Sequence, residues 1–201
     1  MNRVLGRFLN LNLTGKGKKF NEIKLIEIVI SIIFIIFGIV SLSNKSMSDN
    51  SMAIFLGVLI LLKAILNIYS FITPNSNSLF RKNIIFGILY FVIAILFFTN
   101  FIKFINYIVI YFGAFLIVAG MKKMATSITL KIVKENSFLI VFMTAILMFA
   151  LGGLLMFYPF TSFTVIDIIS IFAILYGILN ISVSNLLRNK VSDFISKVDN
   201  D

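Results

Sequence analysis

Long apolar stretches alternate with short polar segments along the chain. Such stretches predict membrane-spanning helices, because a helix needs about 20 mostly apolar residues to cross a bilayer. Their apolar residues run consecutively, unlike the alternating pattern of a transmembrane barrel strand, and a helix satisfies its own backbone hydrogen bonds in lipid. We therefore predict an all-α integral membrane protein with six transmembrane helices, at residues 25–42, 52–72, 83–98, 105–121, 138–158 and 165–187.

Short polar breaks join these helices into three tandem hairpins. The third and fourth helices are separated only by Thr99, Asn100 and Lys103. A single helix through that region would be too long for a bilayer, so we predict a tight turn at Asn100. The hairpins cover residues 25–72, 83–121 and 138–187, between a basic segment at 1–24 with the pattern of a short interfacial helix and a polar tail at 188–201.

The hairpins resemble one another in the spacing of their small residues. Ala64, Gly120 and Gly177 follow one another at intervals of 56 to 57 residues, and Asn67 and Asn180 occupy equivalent positions in their hairpins. Small side chains let two helix backbones approach closely in lipid. The repeat therefore predicts helix-packing positions at Gly38, Gly57, Gly87, Gly113, Gly120, Gly153 and Gly177.

Basic residues lie mainly on one side of the predicted membrane. The chain has 18 Lys and Arg residues against 8 Asp and Glu, for a net charge of +10. Fifteen of the bases precede the first helix, follow the last or fall in the second and fourth connections, whereas Lys45 and Lys103 lie on the opposite side. The positive-inside rule then predicts cytoplasmic termini. Bases in these places favour anionic lipid headgroups as partners rather than nucleic acid.

Composition supports the membrane class and argues against catalysis. Hydrophobic residues make up 60% of the chain and charged residues 13%, about half the charged share of a soluble domain. His and Cys are both absent. The chain therefore lacks the commonest metal ligand and general base as well as any thiolate chemistry. We predict a protein that is not an enzyme and uses no cofactor or metal.

In segments 37–44, 93–100 and 152–159 a small residue precedes a turn-forming Asn or Pro, and in the first two return helices Gly57 and Gly113 are followed seven residues later by Ala64 and Gly120. In these features the repeated hairpins resemble the HdeD-like acid-resistance membrane proteins of bacteria. The resemblance covers roughly residues 28–185. It implies a six-span protein of the bacterial cytoplasmic membrane with a role in acid or envelope stress, and it supplies no catalytic residues.

Three ionisable residues lie within the predicted helices, where charge is costly and marks candidate function. Lys63 is near the middle of the second helix, Asp167 near the outer end of the sixth, and Glu27 near the cytoplasmic start of the first, beside Lys24. Lys63 either pairs with Asp167, or its long apolar stem lets the ammonium group reach water. If the chain itself senses acid, the titrating group must be Glu27 or Asp167, because His is absent.

These residues leave three hypotheses for function. Lys63, Asp167, Asn67 and Asn180 form a candidate intramembrane polar site, although the two Asn side chains are also explained by hydrogen bonds between or within helices. The leading hypothesis is a non-enzymatic, stress-related HdeD-like protein. The alternatives are a small transporter or channel lined by those four residues, and a scaffold that assembles as a homo-oligomer or with another envelope protein through its small-residue faces.

Overall fold

The computed structural model describes residues 2–44, 49–72, 78–99, 105–132, 135–157 and 164–200. No strand occurs in these ranges, which confirms the predicted all-α class. The predicted turn at Asn100 lies outside the described residues. The helices are α1 (Asn2–Ser43), α2 (Asp49–Ile72), α3 (Ser78–Thr99), α4 (Ile105–Ile132), α5 (Phe138–Phe157) and α6 (Val165–Asn200).

All of these helices except α3 are long and apolar enough to cross a membrane, and the apolar segment of α3, Asn83–Thr99, is shorter. The chain is thus a multi-pass membrane protein. Several helices continue beyond the predicted spans, because hydropathy marks only the apolar part of a helix. In particular, α1 continues through the predicted basic segment at 1–24, and α4 extends to Ile132. Lys122 and Lys123, predicted in a connection, therefore lie on a helix.

The helices form a closed ring in chain order. Each helix contacts the next one along the chain, and α1 contacts α6. The most extensive interfaces are α1–α6, α2–α3 and α4–α5, whereas helices within each predicted hairpin share smaller ones. The most extensive interfaces therefore pair helices from different predicted hairpins. The repeat predicts which positions are equivalent, but equivalence does not specify the neighbour of each helix.

Close backbone contact defines the α1–α6 interface. A Cβ atom added at Gly177 would lie 2.7 Å from the carbonyl oxygen of Ser31, and one added at Gly38 would lie 2.6 Å from that of Ser170. The later position on α6 meets the earlier one on α1, so the two helices are antiparallel. Neither glycine has room for a side chain, which is how small residues let helices pack tightly in lipid.

The other two helix pairs are built in the same way. An added Cβ at Gly87 would lie 2.7 Å from the Ile68 side chain, and one at Gly152 would lie 2.8 Å from the carbonyl oxygen of Gly113. Gly153, which the sequence predicts as a packing position, has nothing within 4 Å of an added Cβ, so the approach is made by Gly152 instead. The predicted positions that meet another helix within 3.2 Å are Gly38, Gly57, Gly87, Gly113, Gly120 and Gly177.

Aromatic rings fill the centre of the ring of helices. Phe34 and Phe115 meet Tyr176 edge-on, with ring centres 4.9 and 4.8 Å from the tyrosine ring, and Tyr90 lies 5.6 Å from Phe115. These rings come from α1, α3, α4 and α6, and all are at most 2% exposed. Edge-to-face aromatic pairs add about 0.5–1.5 kcal/mol each beyond area burial. Tyr176 also borders a group of buried charges.

Candidate functional site

Glu27 is a buried carboxylate that joins three helices. It lies on α1 and is 5% exposed. Its Oε1 accepts a hydrogen bond from Lys122 Nζ of α4 (2.7 Å), and its Oε2 accepts from Lys24 Nζ of α1 (2.6 Å) and Ser184 Oγ of α6 (3.2 Å). A buried charge is tolerated when it is paired and hydrogen-bonded. Glu27 therefore fixes the relative positions of α1, α4 and α6.

A second set of hydrogen bonds runs from α4 through α6 to α1. Lys123 Nζ donates to Asn180 Oδ1 (3.0 Å), and Asn180 Nδ2 donates to Ser31 Oγ (2.6 Å). Ser31 Oγ donates in turn to the backbone oxygen of Glu27 (2.7 Å). Because both ends of its amide are engaged, Asn180 is held in one orientation.

Lys63 of α2 adds a further ammonium group to this region of the bundle. The residue is 5% exposed, and its Nζ lies 4.7 Å from the centre of the Tyr176 ring, in cation–π geometry. Among the residues that the structure describes, no carboxylate oxygen lies within salt-bridge distance of Lys63. The hydroxyl of Tyr176 is buried and has no hydrogen-bond partner in the described part of the chain.

These groups line one small cavity of about 20 Å³. Its charged lining residues are Lys24, Glu27, Lys63, Lys122 and Lys123, which we call the basic cluster. Four ammonium groups face one carboxylate, a formal charge of +3 when all are ionised. Buried charge of one sign is expensive in a low-dielectric interior, so a cluster of this composition is a candidate for function.

A larger cavity of about 390 Å³ adjoins the basic cluster. Its walls are mostly apolar and come mainly from α1, α4 and α6; we call it the apolar cavity. The two cavities share the lining residues Lys24, Glu27, Lys122, Thr126 and Leu187. A solute in the apolar cavity therefore reaches the edge of the basic cluster.

The amino-acid sequence matches a known family over most of this helical region. The family is described as a short repeat of unknown function (DUF308), and it matches residues 29–99 and again residues 85–157. The chain belongs to the DUF308 family. The matches begin at residues 29 and 85, a shift of 56 residues, which confirms the predicted internal repeat. No curated protein and no solved structure matches the chain.

The four predicted site residues of this DUF308 protein do not form one site. Lys63 and Asn180 line the small cavity, whereas Asn67 donates from Nδ2 to the backbone oxygen of Lys63 (2.7 Å). Asp167 lies at the start of α6, where its carboxylate accepts a hydrogen bond from the Thr164 hydroxyl (2.6 Å). The backbone N–H of Asp167 donates to the oxygen of that hydroxyl, Thr164 Oγ1 (3.2 Å). The Thr164 hydroxyl therefore caps the N-terminus of α6, and no Lys63–Asp167 contact is formed.

Two members of the basic cluster have roles that the sequence analysis of this DUF308 protein missed. Glu27 contacts Lys24, as their spacing suggests, but it is buried rather than interfacial. The sequence predicts Lys123 in a connection, because the pair Lys122 and Lys123 ends an apolar run. The repeat could have identified Lys123 as equivalent to Asn67 and Asn180, since it lies 56 residues after Asn67 and 57 before Asn180.

The basic cluster offers charge stabilisation and proton exchange rather than metal binding. Its ammonium groups repel metal cations. Within the described residues, no three His, Cys, Asp or Glu side chains come together as a metal site requires. Glu27 is the one carboxylate that lines the small cavity, so its negative charge balances part of the charge of the lysines around it.

Proposed function

We propose that this protein is a non-enzymatic, HdeD-like membrane protein that acts in acid or envelope stress. HdeD-like proteins belong to the DUF308 family, which supports the assignment. The observation that carries the proposal is the burial of Glu27 where α1, α4 and α6 meet. A carboxylate in that position makes the contact of three helices depend on one ionised group, so acid strong enough to protonate it changes helix packing.

Protonation of Glu27 changes the charge that its neighbours experience. Lys24 of α1, Lys122 of α4 and Ser184 of α6 bond to its carboxylate. When Glu27 is neutral, the formal charge of the basic cluster rises from +3 to +4 and two salt bridges lose their charge attraction. Acid strong enough to neutralise Glu27 against its ammonium neighbours therefore loosens the junction of the three helices. The other titratable groups that face Glu27 across the small cavity are Lys63 of α2, Tyr90 of α3, Lys123 of α4 and Tyr176 of α6.

Complementation of an acid-sensitive deletion strain tests this function. In the native host without the gene, we expect the wild-type chain to restore survival after an acid challenge, and Glu27→Gln to fail because it has no charge to lose. Asp167→Asn is the matched control, since Asp167 lies in the first turn of α6, bonded to Thr164 and outside the basic cluster. Membrane levels of each variant are measured by immunoblot. Survival unchanged by the deletion, or equal survival with Glu27→Gln and wild type, contradicts the proposal.

We further propose that the protein resides in the bacterial cytoplasmic membrane, crosses it six times and has both termini in the cytoplasm. The distribution of bases supports this orientation, with anionic lipid headgroups as partners of the cytoplasmic ends. Three members of the basic cluster agree with it, because Glu27 lies near the start of the first predicted span and Lys122 and Lys123 directly follow the fourth.

The natural absence of cysteine makes the orientation directly measurable. We expect a membrane-impermeant maleimide to label Asn100→Cys in intact cells, because that position lies in a predicted external turn. Ser192→Cys, in the predicted cytoplasmic tail, is expected to react only after permeabilisation. The reverse labelling pattern would rule out cytoplasmic termini.

Transport is the second candidate, since the apolar cavity gives access to the basic cluster. A path across the bundle would need buried charged or polar groups along its whole length. Glu27, Lys63 and Lys123, the buried charged residues among those described, all line the same small cavity. That confinement favours the stress-related role over a continuous path.

A further inference from the structure

The basic cluster contains two buried ammonium groups without a carboxylate partner. Lys63 and Lys123 are 5% and 6% exposed. In the described structure, Lys123 bonds to the neutral amide of Asn180, and Lys63 lies over the Tyr176 ring. Glu27 bonds to Lys24 and Lys122 instead. Keeping these two groups charged while buried costs several kcal/mol unless a negative charge balances them, and the described residues place no carboxylate within salt-bridge distance of either.

A buried hydroxyl in the same cavity is an independent sign of a ligand. Tyr176 is fully buried, and its hydroxyl has no hydrogen-bond partner among the described residues. Buried polar groups are nearly always hydrogen-bonded, and one that is not calls for a partner. A phenol O–H and ammonium N–H groups can all donate, so the partner that they share is an acceptor, and an anion is the acceptor that also balances the ammonium charge.

The volume of the cavity restricts the identity of that anion. About 20 Å³ suffices for one water molecule or one ion of similar radius, because a water needs roughly 10–15 Å³ on this measure. A tetrahedral oxyanion or a carboxylate with a carbon chain would not fit. The size therefore selects a monatomic anion.

We propose that the cavity bordered by Lys63, Lys123 and Tyr176 is a binding site for a monatomic anion, of which chloride is the abundant biological example. The anion lowers the formal charge of the basic cluster and accepts the hydrogen bond of the Tyr176 hydroxyl. It enters through the apolar cavity, past Lys24 and Lys122, whose side chains are 13% and 20% exposed. The site is independent of any role in stress.

Chloride titration of the purified full-length protein in detergent tests this site. Chloride replaces gluconate at constant ionic strength and pH, while the melting temperature and the ³⁵Cl NMR line width are recorded. We expect saturable stabilisation and chloride line broadening for the wild type. Tyr176→Phe removes only the hydroxyl and is expected to raise the chloride Kd about tenfold or more, the loss of one hydrogen bond to a charged group. Lys63→Met and Lys123→Met are expected to abolish the titration.

Lys131→Met is the matched control, because Lys131 is exposed near the end of α4 and lines neither cavity. It should titrate like the wild type. If the lysine variants of the cluster fail to fold, the chloride titration of Tyr176→Phe still tests the site. The proposal is overturned if wild-type stability is independent of chloride, if sulfate stabilises equally, or if Tyr176→Phe and Lys131→Met give the same Kd as the wild type.

Discussion

Replacing Glu27 with alanine is expected to lower the free energy of unfolding by about 3–5 kcal/mol, the usual cost of removing one partner from a buried ion pair. The substitution leaves Lys24 and Lys122 without their acceptor and adds a further unbalanced charge to the basic cluster. Ser184 loses its acceptor as well. Unfolding of the full chain in mixed micelles, followed by circular dichroism at fixed chloride and pH, measures the loss.

Glu135→Ala is the control for this prediction. Its carboxylate lies 3.4 Å from Lys190 Nζ, but the two side chains are 41% and 49% exposed. Exposed pairs contribute about 0–1 kcal/mol, so little stability should be lost. Adding Lys122→Met to Glu27→Ala should recover part of the loss, because it removes a charge left unpaired. Equal, small losses for Glu27→Ala and Glu135→Ala would be incompatible with a buried Glu27 junction.

Gly152→Ala and Gly153→Ala are expected to change stability in opposite directions although the residues are adjacent. The new methyl at position 152 would lie 2.8 Å from the backbone oxygen of Gly113, which forces α4 and α5 apart. Overpacking of this kind costs about 1–3 kcal/mol. The methyl at position 153 meets nothing within 4 Å, so the change should gain up to about 1 kcal/mol from better helix propensity.

The same unfolding assay, applied to both alanine variants, separates the effect of helix packing on stability from the effect of intrinsic helix propensity. Gly152→Val extends the series and should be worse than Gly152→Ala, because backbone atoms limit the space at this position. If the variants at 152 and 153 shift stability equally, the α4–α5 interface does not run through Gly152.

Hydropathy predicts the helices well and their ends poorly. The apolar residues of each span dictate burial in lipid, and each predicted span corresponds to a helix. The end of α4 differs because two lysines stop the apolar run at Met121, and a base in that place usually marks a connection. Here Glu27 and Asn180 supply partners for those lysines, so the charges remain inside the bundle.

Contacts between distant segments explain what the sequence analysis missed in the site. Lys63 and Asn180 were predicted as polar residues in spans, and both line the small cavity. Asp167 has the same signature, yet its carboxylate binds the hydroxyl of Thr164, which caps the N-terminus of α6. Glu27 and Lys122 are 95 residues apart along the chain, and their contact depends on how α1 and α4 meet. Periodicity identifies equivalent residues but not residues that touch.

The pairing of α1 with α6 sets the order in which the fold can be completed during synthesis. The pairs α2–α3 and α4–α5 are adjacent in the chain, so each can form soon after its second helix leaves the ribosome. The partner of α1 is α6, which is made after the other five helices that the structure describes, and the bond from Asn180 to Ser31 links residues 149 positions apart. Until α6 is made, Ser31 and Glu27 lack their α6 partners. The ring of helices can therefore close only after α6 has been inserted.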